Sequence, residues 1–234
     1  SEVVARIRVS TNEVAGARRP PINLALVVDT SGSMEGQPIA DARAAAESLL
    51  DSLEPGDRLA VIAFHSTTEA LLPSTTIESG HIDELRARIH AMEARGTTDL
   101  AGGLQMGLEE VTRHFDARGI NRLVLLSDGV PNDATMVRPL AQAAGERSIA
   151  ITALGLGLDY DEVLLGDIAV ASGGRFHYVA ESSEVAGVFD EEVLRMTRTV
   201  ARNVTLELAP GPGVSIASVV GPAFTTSGGR VYVS

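Results

Sequence analysis

The sequence predicts an α/β fold: a doubly wound, mostly parallel sheet flanked by helices, with a small β module formed from the N- and C-terminal segments. Near-continuous apolar runs recur along the chain, which is typical of strands buried on both faces of a parallel sheet. Segments with apolar residues at steps of three and four, the spacing of helices with one buried face, lie between these runs. Because strands and helices alternate, we expect right-handed crossovers with helices on both faces of the sheet.

Five apolar runs predict the strands of this sheet, at residues 22–28, 59–64, 123–126, 149–156 and, more weakly, 176–179. Six amphipathic segments predict the helices, at residues 38–53, 81–92, 100–115, 137–147, 161–171 and 182–200. The first helix opens on Pro38, and proline is favoured in a first turn because no amide hydrogen is needed there.

The two ends of the chain show a different pattern, in which apolar and polar residues alternate. This pattern predicts further strands at residues 3–9, 203–208, 214–220 and 230–233. Short strands are marginally stable alone, so we expect the two ends to pair into one small β module. The main domain would span residues 21–200, with accessory strands at 1–20 and 201–234. The last strand ends with the chain, so we expect the module to be truncated and the native protein to be longer.

The composition excludes several classes of function. The net charge of −12 disfavours nucleic-acid binding, because that affinity rests on cationic contacts to phosphates. Cysteine is absent, which excludes disulfides and thiolate metal sites. All 19 basic residues are arginine, which excludes a P-loop lysine and a Schiff-base lysine. No apolar run approaches the roughly 18 residues that a membrane-spanning helix needs, and no signal peptide is visible.

The most informative motif directly follows the first predicted strand. Asp29, Ser31 and Ser33 place one carboxylate and two hydroxyls at alternate positions of a short loop. Oxygen ligands of this kind suit a hard divalent cation, Mg²⁺ or alternatively Mn²⁺ or Ca²⁺. Because hydroxyls are neutral, the cation would keep part of its charge and attract an anion from outside. This favours a binding site over a catalytic one.

Two further loops carry suitable oxygens. Thr98 lies just before the third predicted helix, and Asp128 directly follows the third predicted strand. In doubly wound sheets, ligands bind at the carboxyl ends of the strands, where the chain order reverses. If the three loops converge there, their oxygens supply most of an octahedron, which water or a partner would complete. The candidate ligands are Asp29, Ser31, Ser33, Thr98 and Asp128.

Each loop also has a simpler interpretation. The loop after the first strand could cap the helix that follows, and residues 127–129 could form an ordinary turn. Thr98 could cap the helix that starts near Asp99, and Asp99 itself is interpreted as a cap or as support for the ligands. The presence of all three loops together favours the ligand interpretation. The five histidines are scattered without zinc-site spacing.

The Asp-x-Ser-Gly-Ser loop, the Thr98-Asp99 pair before a helix and the later Leu-Ser-Asp-Gly resemble, in this order, the von Willebrand factor type A (vWA) domain, a Rossmann-like fold. In that family these motifs form the metal-ion-dependent adhesion site, and the resemblance covers about residues 21–200. It implies a Mg²⁺ ion whose open coordination position takes a carboxylate from a protein partner. The direct ligands would be Ser31, Ser33 and either Thr98 or Asp128, with Asp29 acting largely through water. The flanking sequence is similar to bacterial members and to inter-alpha-trypsin inhibitor heavy chains.

These features predict a non-enzymatic, adhesion-type module that binds an Asp or Glu of a partner protein through its metal. One alternative is an adaptor or subunit domain of an ATPase complex, in which the metal would matter for stability. Another is a metal-dependent phosphohydrolase with Asp29 as nucleophile. It is disfavoured because position 31 is Ser rather than Asp and no lysine is present. The family resemblance favours an extracellular or cell-envelope location, and a cytoplasmic location stays open.

Overall fold

The structure, a computed structural model, describes residues 4–7, 19–78, 80–197, 205–219, 224–228 and 230–233. The chain divides into two compact units. One comprises residues 18–198, and the other draws on residues 1–17 and 199–234. The domain limits at residues 21 and 200 stay a prediction from the sequence.

The larger unit is built on six strands: β1 (Ile22–Asp29), β2 (Arg58–Phe64), β3 (Thr68–Thr76), β4 (Ile120–Ser127), β5 (Ala150–Leu156) and β6 (Arg175–Val179). In the sheet they lie in the order β3-β2-β1-β4-β5-β6, and every neighbouring pair is parallel except β2 and β3. The chain order reverses between β1 and β4, which is where doubly wound sheets form their ligand sites. The predicted doubly wound, mostly parallel sheet is confirmed.

Within the described part of this unit, six α-helices cover the two faces of the sheet: α1 (Gln37–Asp51), α2 (Ile82–His90), α3 (Leu100–Arg113), α4 (Val137–Glu146), α5 (Glu162–Ser172) and α6 (Val185–Thr197). Apolar residues of α1, α2 and α6 share one buried cluster with the sheet, and those of α3, α4 and α5 share the other. Each helix therefore buries one stripe, as its three-and-four spacing predicts. No helix in the described part of the chain combines the length and apolar character needed to cross a membrane.

β1 is buried along its full length, as its uninterrupted apolar run predicts. The register pairs Asp29 with Phe64 of β2, and Val28 with Leu126 of β4. The three strands thus end at nearly the same level. This brings the loops that follow β1, β2 and β4 side by side at the carboxyl edge of the sheet.

β3, the antiparallel strand at one edge of the sheet, was not predicted from the sequence. Its segment, Thr68–Thr76, is polar and contains Pro73, so it lacks the apolar run that marks the buried strands. Proline is tolerated on an edge strand because one side of the strand makes no ladder hydrogen bonds. Pairing with β2, rather than local sequence pattern, makes this segment a strand.

Glycines let α3 pack closely on the sheet. A Cβ atom added to Gly103 would lie 2.6 Å from Phe64 Cδ1, and one added to Gly107 would lie 2.5 Å from Val27 Cγ2. The sheet would have to shift to admit either methyl group. The close approach matters for the site because α3 begins directly after Thr98.

In the described residues of the smaller unit, three strands form an antiparallel sheet in the order β7-β9-β8: β7 (Leu206–Leu208), β8 (Phe224–Ser227) and β9 (Arg230–Val233). The predicted strand at residues 214–220 is wrong over its described part, 214–219, which is irregular and begins at the exposed Val214. Alternation there does not reflect a buried face. Of the predicted strand at 3–9, residues 4–7 are not in a strand and the others lie outside the described residues.

Candidate metal centre

Asp29 closes β1 and is completely buried, with 0% of its surface exposed. Its Oδ1 accepts a 2.8 Å hydrogen bond from the backbone N–H of Ser31. Its Oδ2 accepts a 2.7 Å hydrogen bond from the hydroxyl of Ser127, the last residue of β4. Both carboxylate oxygens are thus engaged, so Asp29 joins the loop after β1 to the end of β4.

The two loop serines and Asp128 form a row of oxygen atoms. Ser31 Oγ and Ser33 Oγ lie 3.0 Å apart, and the Ser33 hydroxyl donates a 2.9 Å hydrogen bond to Asp128 Oδ1. Ser33 is exposed, whereas Ser31 is buried. The row therefore runs from the interior of the carboxyl edge toward solvent. The predicted residues of the first and third loops lie together.

Thr98 reaches the same place from the second loop. A Cβ atom added to Gly129 would lie 3.4 Å from Thr98 Oγ1 and 4.0 Å from Ser33 Oγ. The two hydroxyls therefore border a common space, which Gly129 leaves free because it has no side chain. Asp128, the preceding residue, borders it as well through its bond to Ser33. The structure thus brings the five predicted residues to one edge of the sheet.

The helix-cap alternatives are decided by the same geometry. The N-cap of α3 is Asp99, whose Oδ1 accepts a 3.0 Å hydrogen bond from Gly102 N–H, so Thr98 does not cap this helix. The N-cap of α1 is Gly36, and no side chain of the first loop caps it. The oxygens of Thr98 and of the two serines are therefore not accounted for by helix capping.

Backbone hydrogen bonds hold the three loops in register. The N–H of Gly32 donates to Gly96 O over 3.0 Å, and the N–H of Arg95 donates to Thr30 O over 2.7 Å. These bonds join the first loop to the second. The N–H of Asn132 donates to Thr98 O over 3.1 Å, which joins the second loop to the third.

Sequence reasoning missed several residues that position the site. Asn132 Nδ2 donates a 3.0 Å hydrogen bond to Thr97 Oγ1, and the Thr97 N–H donates to Ser66 Oγ over 3.0 Å. His65 O accepts a 2.8 Å bond from Asp99 N–H at the start of α3. The available signal was their place in the chain, since His65, Ser66 and Asn132 follow predicted strands and Thr97 lies beside Thr98. Which partners they bond depends on the tertiary structure.

The electrostatics of the site favour a cation. Burial raises the pKa of Asp128 to about 6, and the charges of Asp29 and Asp159 add to this rise, while the hydrogen bond from Ser33 opposes it. Burial also raises the pKa of Asp29, partly offset by its bonds from Ser31 and Ser127. Both carboxylates are thus costly to ionise in the protein alone, and a bound cation would relieve that cost.

The donor set suits a hard cation better than zinc. In the described residues, no group of three or more His, Cys, Asp and Glu side chains could hold a metal ion, so a site here must use hydroxyl oxygens. Mg²⁺ holds oxygens at about 2.0–2.1 Å in an octahedron, which sets neighbouring oxygens about 2.9 Å apart. The separations of 3.0 Å between the two serines and 2.9 Å from Ser33 to Asp128 are hydrogen-bond distances, and they leave these oxygens close enough to bind one ion together. The residues present therefore fit a magnesium ion.

Comparison with known proteins gives relatives over most of the chain. A protein of Synechocystis sp., the uncharacterized sll0103, is 32% identical over 219 residues, which are 92% of this chain and 51% of that protein. Human inter-alpha-trypsin inhibitor heavy chain H4 is 25% identical over 203 residues, 82% of this chain and 22% of that one. The chain thus spans about half or less of the length of these relatives. The expected likeness to bacterial proteins and to these heavy chains is confirmed.

Solved structures share the fold. The von Willebrand factor type A protein from Catenulispora acidiphila matches with a TM-score of 0.78 and 18% identity, over 92% of this chain and 54% of that one. Proximal thread matrix protein 1 from the mussel byssus, with a zinc-occupied MIDAS motif, matches with a TM-score of 0.65 and 18% identity, over 76% of this chain and 46% of that one. The family model for the von Willebrand factor type A domain matches residues 23–191, and the chain belongs to this family.

Proposed function

We propose that this domain is a metal-dependent protein-interaction module that captures an Asp or Glu side chain of a partner protein. The family typically mediates protein–protein interaction or adhesion. The observation that carries the proposal is the meeting of three loops around the space beside Gly129, which brings hydroxyl and carboxylate oxygens, the ligands that Mg²⁺ prefers, to one place.

The ligand roles follow from which oxygens are already engaged. Ser31 and Ser33 would hold the ion directly, since neither hydroxyl is required for a helix cap. Asp128 or Thr98 would hold it from the facing loops. Asp29 would act through water or by orienting its neighbours, because both its oxygens already accept hydrogen bonds. Mg²⁺ is the proposed ion, with Mn²⁺ or Ca²⁺ as alternatives.

The ion would supply one open coordination position for an incoming carboxylate. Neutral serine and threonine hydroxyls leave the ion under-neutralised, so an outside anion gains a strong attraction. The exposure of Ser33 supports access from solvent. The partner would therefore be a protein surface with a protruding Asp or Glu, and the remaining contact area would set its specificity.

The burial of Asp29 argues against a phosphohydrolase that uses it as a nucleophile. A nucleophilic carboxylate needs an accessible oxygen with a free lone pair facing the substrate. Asp29 is fully buried, so neither of its oxygens, each of which accepts a hydrogen bond from Ser31 or Ser127, is accessible to a substrate. We therefore propose that the domain is not an enzyme.

The experiment is calorimetric titration of Mg²⁺ and Mn²⁺ into metal-free protein, comparing wild type with Asp128→Asn and Asp133→Asn. Asp133 is a matched control, because it lies in the same loop but its side chain bonds the nearby Thr135 and not the candidate ligands. We expect one-site binding that is weakened at least about tenfold in Asp128→Asn and unchanged in Asp133→Asn. Equal binding by all three proteins, or no binding by wild type at millimolar metal, would overturn the proposal.

A partner search with and without chelator then tests the capture step. Capture of an acidic peptide or protein that needs the metal supports the adhesion-type function. Capture that persists in chelator, while the metal changes only thermal stability, would instead indicate an adaptor or subunit of a larger complex such as an ATPase.

A further inference from the structure

β6 forms one edge of the larger sheet, and within the described residues its outer side is open. It pairs in parallel with β5, and the register runs without interruption from Arg175 to Val179. Val179 O accepts a 2.9 Å hydrogen bond from Gly157 N–H, so Val179 directs its backbone groups toward β5. Because backbone groups alternate sides along a strand, Phe176 and Tyr178 direct their N–H and C=O groups outward. These groups can pair with an added strand.

The opposite edge of the sheet, β3, is protected in ways that β6 is not. β3 contains Pro73, which has no N–H, and register shifts interrupt its pairing with β2. The N–H of Ser74 is already bonded to Glu110 Oε2 of α3 over 2.7 Å. Such features keep an edge from adding strands. β6 has neither a proline nor a register shift, so it is the edge that accepts a further strand more readily.

Aromatic side chains line one face of β6. The ring of Tyr160, in the loop after β5, lies 6.0 Å from the ring of Phe176 and 6.3 Å from that of Tyr178, measured between centroids. A Cβ atom added to Gly155 of β5 would collide with the Tyr160 ring, so this ring lies directly over β5. Tyr178 is 52% exposed. The aromatic cluster therefore ends in an exposed ring at the open edge, where an aromatic neighbour on an added strand would cover it.

The two ends of this edge carry opposite charges. Arg175 is the first residue of β6, and Glu181 lies two residues beyond its last residue. Both side chains are exposed. Within the described residues neither forms an ion pair, whereas Glu191 of α6 pairs with Arg195. A strand that is basic at one end and acidic at the other is complementary in charge to an antiparallel copy of itself.

We propose that β6 pairs antiparallel with β6 of a second copy of this chain, around a two-fold axis at His177. In this register Phe176 lies opposite Tyr178 of the second copy, and their outward N–H and C=O groups bond each other. The aromatic cluster continues across the axis. Arg175 lies diagonally opposite Glu181 of the second copy, within reach of a long side chain. The six strands of each copy join into one continuous sheet.

Antiparallel pairing reverses the second sheet relative to the first. The two carboxyl edges, each with its candidate metal centre, therefore face opposite directions. Together with the function proposed above, this orientation would let the pair bridge two acidic partners. The pairing itself uses none of the candidate ligands, so it does not rest on that function and should persist in chelator.

Sedimentation velocity over a concentration series up to about 1 mM tests the pairing, with and without chelator. The proteins are wild type, Tyr178→Asp and Phe115→Asp, with folding verified by circular dichroism. Phe115 is a matched control, because it is also an exposed aromatic residue but lies between α3 and β4, and its replacement changes the net charge equally. Pairing of short edge strands buries little surface, so wild type should associate weakly and reversibly. The association constant should fall at least about tenfold in Tyr178→Asp, because symmetry introduces the change twice, and stay unchanged in Phe115→Asp.

Single cysteines test the register, because the chain has no cysteine of its own. Around the proposed axis the two Cα atoms of His177 face each other at about 4.5 Å, which a disulfide can span. The two Cα atoms of Arg175 lie about 13 Å apart, which is too far. Under mild oxidation, His177→Cys should therefore form covalent dimers, and Arg175→Cys should not.

Wild type that sediments as a monomer at every concentration, or that associates no more strongly than Tyr178→Asp, would overturn the inference. Equal disulfide yields at positions 177 and 175 would overturn it too, since random collision does not distinguish the two positions. Association that is unchanged by chelator, in a protein that binds no Mg²⁺, would support the pairing while the proposed function fails. Mg²⁺ binding by a protein that stays monomeric would overturn the pairing alone.

Discussion

The hydroxyl of Ser127 donates a 2.7 Å hydrogen bond to the buried carboxylate of Asp29, joining the carboxyl ends of the two central strands β4 and β1. The partners are 98 residues apart in sequence, and both are fully buried. A buried carboxylate oxygen that loses its hydrogen-bond donor is left unsatisfied, and its desolvation then destabilises the folded state. This hydrogen bond therefore stabilises the carboxyl ends of β1 and β4, which carry the first and third loops of the candidate site.

Replacing Ser127 by Ala should destabilise the protein by about 1–3 kcal/mol, because Asp29 Oδ2 loses this hydrogen bond while it stays buried. Chemical denaturation measures the change in the free energy of unfolding. Ser52→Ala is the control, since the Ser52 hydroxyl is exposed and bonds only Ser48 O within the same helix region. A Ser127 variant as stable as the Ser52 variant would contradict the assigned role.

Magnesium affinity should fall as the pH is lowered, since a metal ligand must be deprotonated. With the pKa of Asp128 at about 6, most of this carboxyl is ionised at pH 7 and most is protonated at pH 5. The expected loss of affinity between these pH values is about tenfold. Calorimetry at both pH values tests it. The dependence should flatten in Asp128→Asn, and an equally steep loss in that variant would assign the titration to another group.

The metal-free protein should show the opposite trend in stability. The pKa of Asp128 is raised in the folded state, so between the unfolded value near 4 and about 6 the folded state binds more protons. Its contribution to the free energy of unfolding therefore decreases as pH rises through this window, and the raised pKa of Asp29 acts in the same direction.

The measurement is the difference in unfolding free energy between wild type and Asp128→Asn at pH 5 and pH 7, which isolates Asp128 from other titrating groups. Wild type should lose stability relative to the variant on going to pH 7 without metal. Saturating Mg²⁺ should remove this loss, because it stabilises the ionised carboxylate. A constant difference without metal would show that Asp128 titrates normally.

Adding a methyl group to two helical glycines should have opposite effects. In Gly103→Ala the new Cβ would lie 2.6 Å from Phe64 Cδ1, so α3 must shift and stability should fall by about 1–3 kcal/mol. In Gly187→Ala of α6 nothing lies within 4 Å of the new Cβ, so the better helix propensity should raise stability by up to about 1 kcal/mol. Thermal and chemical unfolding of both variants, with circular dichroism to verify folding, measure the contrast. Equal effects would mean that α3 does not pack as closely as described.

Local patterns predicted the buried strands and the helices because each such element repeats its apolar residues at its own period. For example, the apolar run of β1 is enough to predict that strand. The apolar stripe from Leu100 to Val111 is enough to predict α3. β3 escaped prediction because its strand character comes from pairing with β2. At residues 214–219 the opposite happened: alternating apolar and polar residues predicted a strand that the structure does not have. Alternation predicts a strand only where one of its faces is buried.

For the candidate site, too, some features could be predicted from the sequence and others are visible only in the structure. The sequence alone predicts the candidate ligands, because their residue types and their places after strands or before a helix can be read from short segments. These ligands are residues 29, 31, 33, 98 and 128. The sequence left open whether Thr98 or Asp99 caps α3, and the structure assigns the cap to Asp99. The bonds of Asn132 to Thr97 and Thr98 had no local signature, because each joins loops more than 30 residues apart.

The sequence by itself therefore determined the buried strands and the helices of the larger unit, the family and the chemistry of the oxygen-bearing loops, since all of these are encoded in short contiguous segments. Only the tertiary structure decided that the loops meet. Ser33 and Asp128 are 95 residues apart, and their 2.9 Å contact exists because β1 and β4 pair in parallel at the reversal of chain order. A parallel pairing sets which strand ends lie side by side, and no local pattern carries that information.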